Sequence, residues 1–253
     1  MELSKSYKIH DDVYILGISK DYIMINNNYL GISIYDKDFN FLQSIDLDED
    51  LLVYKIYSSS LNNYAILLDV DNEHMYIINI QSNTSITKKI QNNNIFSDYY
   101  FVEKENFFLR NFEYEYCYSY TEGKLLSTFQ NFHNNVLCNY QDQQIHKAKN
   151  RIIYCSGGIE KDISINYFES YRFLIEDGRI FAFDESAIYT YQGDKLKRIW
   201  SSDHFYTIRS VSLADGKVYI LLNSKTENDN SKIEIYHENK NIWLTNDSRE
   251  LFI

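Results

Sequence analysis

Four side chains with metal-binding chemistry, His133, Cys138, His146 and Cys155, fall within one short stretch. Their separations of 5, 8 and 9 residues match no zinc-finger or zinc-ribbon pattern. They read as loop and strand residues, and no metal or other cofactor is expected. Asp69-Val70-Asp71-Asn72-Glu73 has the carboxylates of a calcium loop but lacks its central glycine and distal glutamate. Asp46, Asp48, Glu49 and Asp50 form a second acidic group, read as a solvated loop. Nucleophile-elbow, phosphate-loop and dinucleotide motifs are absent. A pair of carboxylates acting on a sugar needs only proximity in space, which spacing in sequence does not exclude. The cysteines, Cys117, Cys138 and Cys155, are odd in number and read as reduced, small apolar residues.

The elements that must position these residues are strands. The 253-residue chain contains 24 Tyr and 15 Phe, no Pro and only 8 Gly, a composition that favours sheet and excludes collagen-like or linker designs. Helical periodicity is nearly absent. Short apolar or alternating runs recur between polar turns, and self-comparison yields a four-strand unit. The third strands of five such units end at Tyr35, Ile80, Tyr120, Tyr191 and Tyr236, spaced by 45, 40, 71 and 45 residues. The long gap holds runs at 136–141, 151–156 and 163–168, a degraded unit of three strands. The last unit ends in a predicted strand at 241–245. Asp177-Gly178 and Asp215-Gly216 occupy equivalent first turns, where Asp-Gly supplies the positive φ angles of a two-residue hairpin.

A period of about 40–45 residues with four strands per unit resembles a β-propeller over nearly the whole chain. The resemblance is to the architecture; Trp-Asp blade ends and kelch glycine pairs are missing, and Gly157-Gly158 lies in the irregular segment. It implies one all-β domain over 1–253, with six four-stranded antiparallel blades, five clear and one degenerate. A pair of β-sandwiches or an open barrel is the alternative. Residues 1–10 and 248–253 are the segments expected to tie the ring.

Propeller topology sorts the loops by face. Loops between blades and second turns within blades emerge at one end, first and third turns at the other. At the first end seventeen acids face only Lys225 and Arg249; at the second, nine acids face eight bases. The first end also carries Tyr29, Phe96, Tyr99, Tyr114, Phe132, Phe205 and Tyr206. Aromatics among carboxylates suit interface anchors with electrostatic steering. The expected partner-binding set is Asp46, Asp48, Glu49, Asp50, Asp69, Asp71, Glu73, Glu113, Tyr114, Glu115, Asp184, Glu185, Asp203, Phe205 and Tyr206.

A net charge of −11 opposes direct binding of nucleic acid or anionic lipid and favours a basic protein. The N-terminus has no apolar signal core and no run spans a membrane, so a cytosolic location is expected. By size and composition alone the chain resembles immunity proteins of bacterial toxin systems. That likeness implies a binding protein, not an enzyme, that covers the cationic cleft of a toxin, such as a nuclease, with its acidic face. A propeller enzyme acting on a sugar or lactone in the central channel and an interaction scaffold are the alternatives.

Overall fold

Middle strands covered on both sides lose the alternation of a half-exposed sheet and become continuous apolar runs. Ile23-Met24-Ile25, Ala65-Ile66-Leu67-Leu68 and Val218–Leu222 are such runs, all buried. The outermost strands mix polar with apolar residues and are exposed on much of their surface, Phe41, Ile86, Leu126 and Phe129 included. This contrast repeats around the molecule.

The computed structural model describes residues 1–237 except 10–12, 70–72, 82–83, 92–99, 112, 131–135, 141–142, 149–150, 164–170, 177–178, 193–194 and 227–229. Six four-stranded antiparallel sheets form the blades of a β-propeller, with no helix among these residues. The chain opens with β1 (Glu2–Lys8). Blade 1 is β2 (Leu16–Ile18), β3 (Tyr22–Asn27), β4 (Gly31–Asp36) and β5 (Phe41–Asp46). Blade 2 is β6 (Val53–Ser58), β7 (Tyr64–Asp69), β8 (His74–Ile80) and β9 (Ser85–Gln91). Blade 3 is β10 (Tyr100–Glu103), β11 (Asn106–Arg110), β12 (Tyr114–Ser119) and β13 (Lys124–Gln130). Blade 4 is β14 (Val136–Tyr140), β15 (Gln143–Ala148), β16 (Arg151–Ser156) and β17 (Ile159–Ile163). Blade 5 is β18 (Arg172–Glu176), β19 (Arg179–Phe183), β20 (Ala187–Gln192) and β21 (Lys195–Ser201). Blade 6 is β22 (Tyr206–Ala214), β23 (Lys217–Ser224) and β24 (Lys232–His237), with β1 as its fourth strand.

The core lies between blades. Ile32, Ile34 and Met24 of blade 1 meet Leu67, Tyr76 and Ile78 of blade 2. Ile66, Leu68 and Ile77 meet Phe107, Leu109 and Tyr118 of blade 3. Similar clusters join blade 4 to 5, 5 to 6, and 6 to 1. Tyr and Phe supply the bulk needed to fill the widening gap between radiating sheets.

Two expectations change here. Blade 4 has four strands rather than three: Gln143–Ala148, polar apart from the fully buried Ile145 and the terminal Ala148, and Ile159–Ile163 are strands that were not expected, and the expected run at 163–168 lies, beyond Ile163, outside the described residues. Gly157 and Gly158, both at positive φ, make the tight turn from β16 to β17. In blade 6 the place of a fourth strand is taken by β1, which pairs antiparallel with β24 from Glu2↔His237 to Lys8↔Lys232. The expected strand at 241–245 and the tie at 248–253 lie outside the described residues. Asp215 and Gly216 have φ of 54° and 68°, the geometry that Asp-Gly was expected to supply; Asp177-Gly178 lies outside the described residues.

Candidate functional site

Every blade starts with its innermost strand running the same way. The loops that enter those strands, and the turns between second and third strands, therefore gather at one end, here called the upper face. Of the expected partner-binding residues, Asp46, Glu49, Asp50, Glu73, Glu113, Tyr114, Glu185, Asp203 and Phe205 are exposed on these loops or at the strand ends beside them.

The others are engaged or covered. Asp48 accepts hydrogen bonds from Lys89 Nζ at 2.7 Å and Tyr76 Oη at 3.1 Å. Lys89 chiefly, with Tyr76, holds its carboxyl below the ordinary value. Glu115 pairs with Arg110 at 3.1 Å and is half-buried. Asp184 is spent on its own turn: one oxygen accepts from the backbone NH of Ser186 and Ala187 and from Ser186 Oγ, the other from Tyr189 Oη. Tyr206 is half-buried beneath Lys232, whose Nζ lies 4.1 Å from the ring centre. Asp69 is a correction: at 0% exposure it is enclosed at the end of β7 and cannot touch a partner. Asp71 lies outside the described residues.

The axis of the ring holds what sequence reasoning missed. A cavity of about 510 Å³ is lined at the upper face by the leading halves of the innermost strands. Its wall carries Tyr14, Tyr54, Tyr171, Leu137 and Phe183 together with three cations, Lys55, Arg172 and Arg209. Asn26 sets one side of the wall, its buried Oδ1 accepting from the backbone NH of Tyr14 at 2.9 Å and Ile15 at 3.2 Å. The arginines are held by main-chain carbonyls. Arg172 donates to the carbonyl of Arg209, and Arg209 Nε to that of Tyr14, each at 3.3 Å. Sorting charges by loop overlooked these cations because all three lie within strands. The available signal was a basic residue in the first half of the first strand of three repeats.

Among the described residues, no group of three His, Cys, Asp or Glu side chains converges to hold a metal. Cys117 and Cys155 are free thiols, both pushed up by burial.

No protein-family model matches the chain, and no curated protein matches it in sequence. Solved structures are similar in fold. A virginiamycin B lyase from Staphylococcus aureus superposes with a TM-score of 0.55 at 12% identity, over 93% of this chain and 89% of that one. A streptogramin B lyase gives 0.54 at 7% identity, over 92% and 86%. PorZ, a surface component of the type-IX secretion system of Porphyromonas gingivalis, gives 0.50 at 10% identity, over 90% of this chain and 34% of that one. These likenesses establish the fold alone. They also correct the expectation that the chain is not an enzyme: two of these similar rings are lyases, so neither the fold nor a missing motif excludes catalysis.

Proposed function

We propose that the upper face docks a basic protein, and that the chain acts in the cytosol as an immunity protein that covers the cationic cleft of a toxin domain. The observation that carries this reading is the exposure, at one end of the ring, of Asp46, Glu49, Asp50, Glu73, Glu113, Glu185 and Asp203 beside exposed Tyr29, Tyr114 and Phe205. Separated carboxylates raise the encounter rate with a cationic surface, and aromatic anchors then slow dissociation. Asp48 and Glu115 support the loops of this face through their internal ion pairs.

The test starts from the protein that co-purifies with the tagged chain from its native cells. Association is then timed by stopped flow for the unaltered chain and for a variant carrying Glu49→Gln, Asp50→Asn, Glu73→Gln, Glu113→Gln and Asp203→Asn. The variant is expected to associate about tenfold more slowly at low salt, with a flatter salt dependence. An acidic partner, or an unchanged association rate, would overturn the reading.

A further inference from the structure

The cavity on the axis is built by a recurring distortion. In β6 the register shifts between Val53 and Ile56, so Tyr54 and Lys55 together oppose one residue of β7. In β14 it shifts between Val136 and Cys138, leaving Leu137 as the extra residue. In β22 it shifts between Ile208 and Ser210, leaving Arg209 as the extra residue. Each shift places the additional residue of a β-bulge in an innermost strand, and every such residue lines the cavity. A bulge bends its strand and re-aims a side chain, and bulges concentrate beside functional sites. Bulges in three blades that deliver Tyr54, Lys55, Leu137 and Arg209 to one space are a built feature of the ring.

The chemistry delivered there is also distinctive. The chain carries a net charge of −11, yet the mouth of its channel is cationic. Among the described residues no carboxylate pairs with Arg172 or Arg209; the polar partners seen there are two carbonyls, which orient the guanidinium groups. Arg172 also lies 6.0 Å from the ring centre of Phe183. The three tyrosines and Leu137 complete an apolar and aromatic wall around this charge. A cavity of about 510 Å³ falls within the range of small-molecule sites, which are mostly apolar with a few placed polar groups.

We propose that the upper mouth of the central channel binds a small organic anion with an aromatic or apolar body. Arg172, Arg209 and Lys55 hold its carboxylate, sulfonate or phosphate, and Tyr14, Tyr54, Tyr171 and Leu137 pack against its body. The guanidinium groups supply directional, charge-assisted hydrogen bonds from an open, solvent-facing mouth, where Arg172, Arg209 and Lys55 are all exposed. This inference uses the channel and not the loops; both readings share the upper face, so the probes are titrated into the chain without a partner.

The probes are anilinonaphthalene sulfonate and phenylnaphthylamine, its counterpart without the sulfonate, titrated into the full chain by fluorescence. One saturable site is expected, at least about tenfold tighter for the anion than for the uncharged probe, with an affinity for the anion that falls as salt rises. Arg172→Gln and Arg209→Gln should each weaken the anion about tenfold and leave the uncharged probe unchanged. Arg209→Lys should recover part of the loss, and Tyr54→Ala should weaken both probes. Thermal melting checks that each variant is folded. If a glutamine variant does not fold, the lysine variant and the salt titration of the unaltered chain decide. Absence of a saturable site, equal affinity for both probes, salt-independent binding, or insensitivity to both arginine substitutions would each overturn the proposal.

Discussion

Asp184 shows how one side chain can be read as surface charge and serve as structure. Burial works against its charged form. Hydrogen bonds from the backbone NH of Ser186 and Ala187, from Ser186 Oγ and from Tyr189 outweigh that cost and hold the carboxyl below its ordinary value. The neighbouring Tyr189 hydroxyl is pushed up to about 12, by burial first and by Asp184 next. The folded-state pKa of Asp184 lies below the unfolded value of about 3.9. Its charge therefore stabilises the fold above that unfolded value and ceases to do so as the pH falls through the folded one. Asp184→Asn is expected to cost about 1–2 kcal/mol at neutral pH, as charge-assisted hydrogen bonds become neutral ones. In urea titrations the gap between variant and unaltered chain should be full above about pH 5 and close under more acidic conditions. A gap that does not depend on pH would assign the cost to shape instead of charge.

Within an element, close approach of strands is decided by single positions. Gly31 opens β4 opposite Asp46 of β5, and a Cβ there would stand 2.0 Å from the carbonyl oxygen of Ile45. That obstacle is backbone in a paired strand and cannot swing away. Gly31→Ala should force β4 and β5 apart beneath the acidic loop at Asp48, costing about 1–3 kcal/mol by urea denaturation. The bulges of β6, β14 and β22 act on the same scale with the opposite purpose. Each adds a residue to an innermost strand and gives up regular pairing to turn a side chain toward the axis.

For the whole molecule, closure is the dominant constraint. A single blade cannot cover its own faces, and each inter-blade core depends on the next. β1 completes the last blade with the first strand of the chain, so the ring is locked by pairing between its two ends. β1 is largely exposed and contributes mainly its backbone ladder and Tyr7, which stacks on Phe39 of blade 1 at 4.5 Å. Removal of residues 1–8 would bare an edge of β24 and untie blade 6 from blade 1. At about 1 kcal/mol per ladder bond and about 2–4 °C per kcal/mol, the truncated chain should melt about 10 °C lower or more, and it should aggregate more readily. Calorimetry and light scattering measure both; an unchanged melting temperature would show that β1 does not close the ring.

The sequence by itself determined the repeat, the four-strand unit and the turns, since these rest on rules local to a few residues. Alternation, Asp-Gly chemistry and a period of 40–45 residues need no knowledge of distant contacts. β15 escaped because its polar run, with little beyond Ile145 facing the core, leaves too weak a pattern. The loops of the upper face were legible through topology, which fixes the end of the ring where each connection emerges. Tertiary structure alone decided the condition of the residues on them. Asp69 is enclosed, Asp48 meets Lys89 from another strand, and β1 takes a place assigned to residues near the other end of the chain. It also decided the channel. Lys55, Arg172 and Arg209 lie far apart along the chain, and a bulge exists only when one strand is laid against another. Ring closure brings them to one mouth, and no local pattern encodes that meeting.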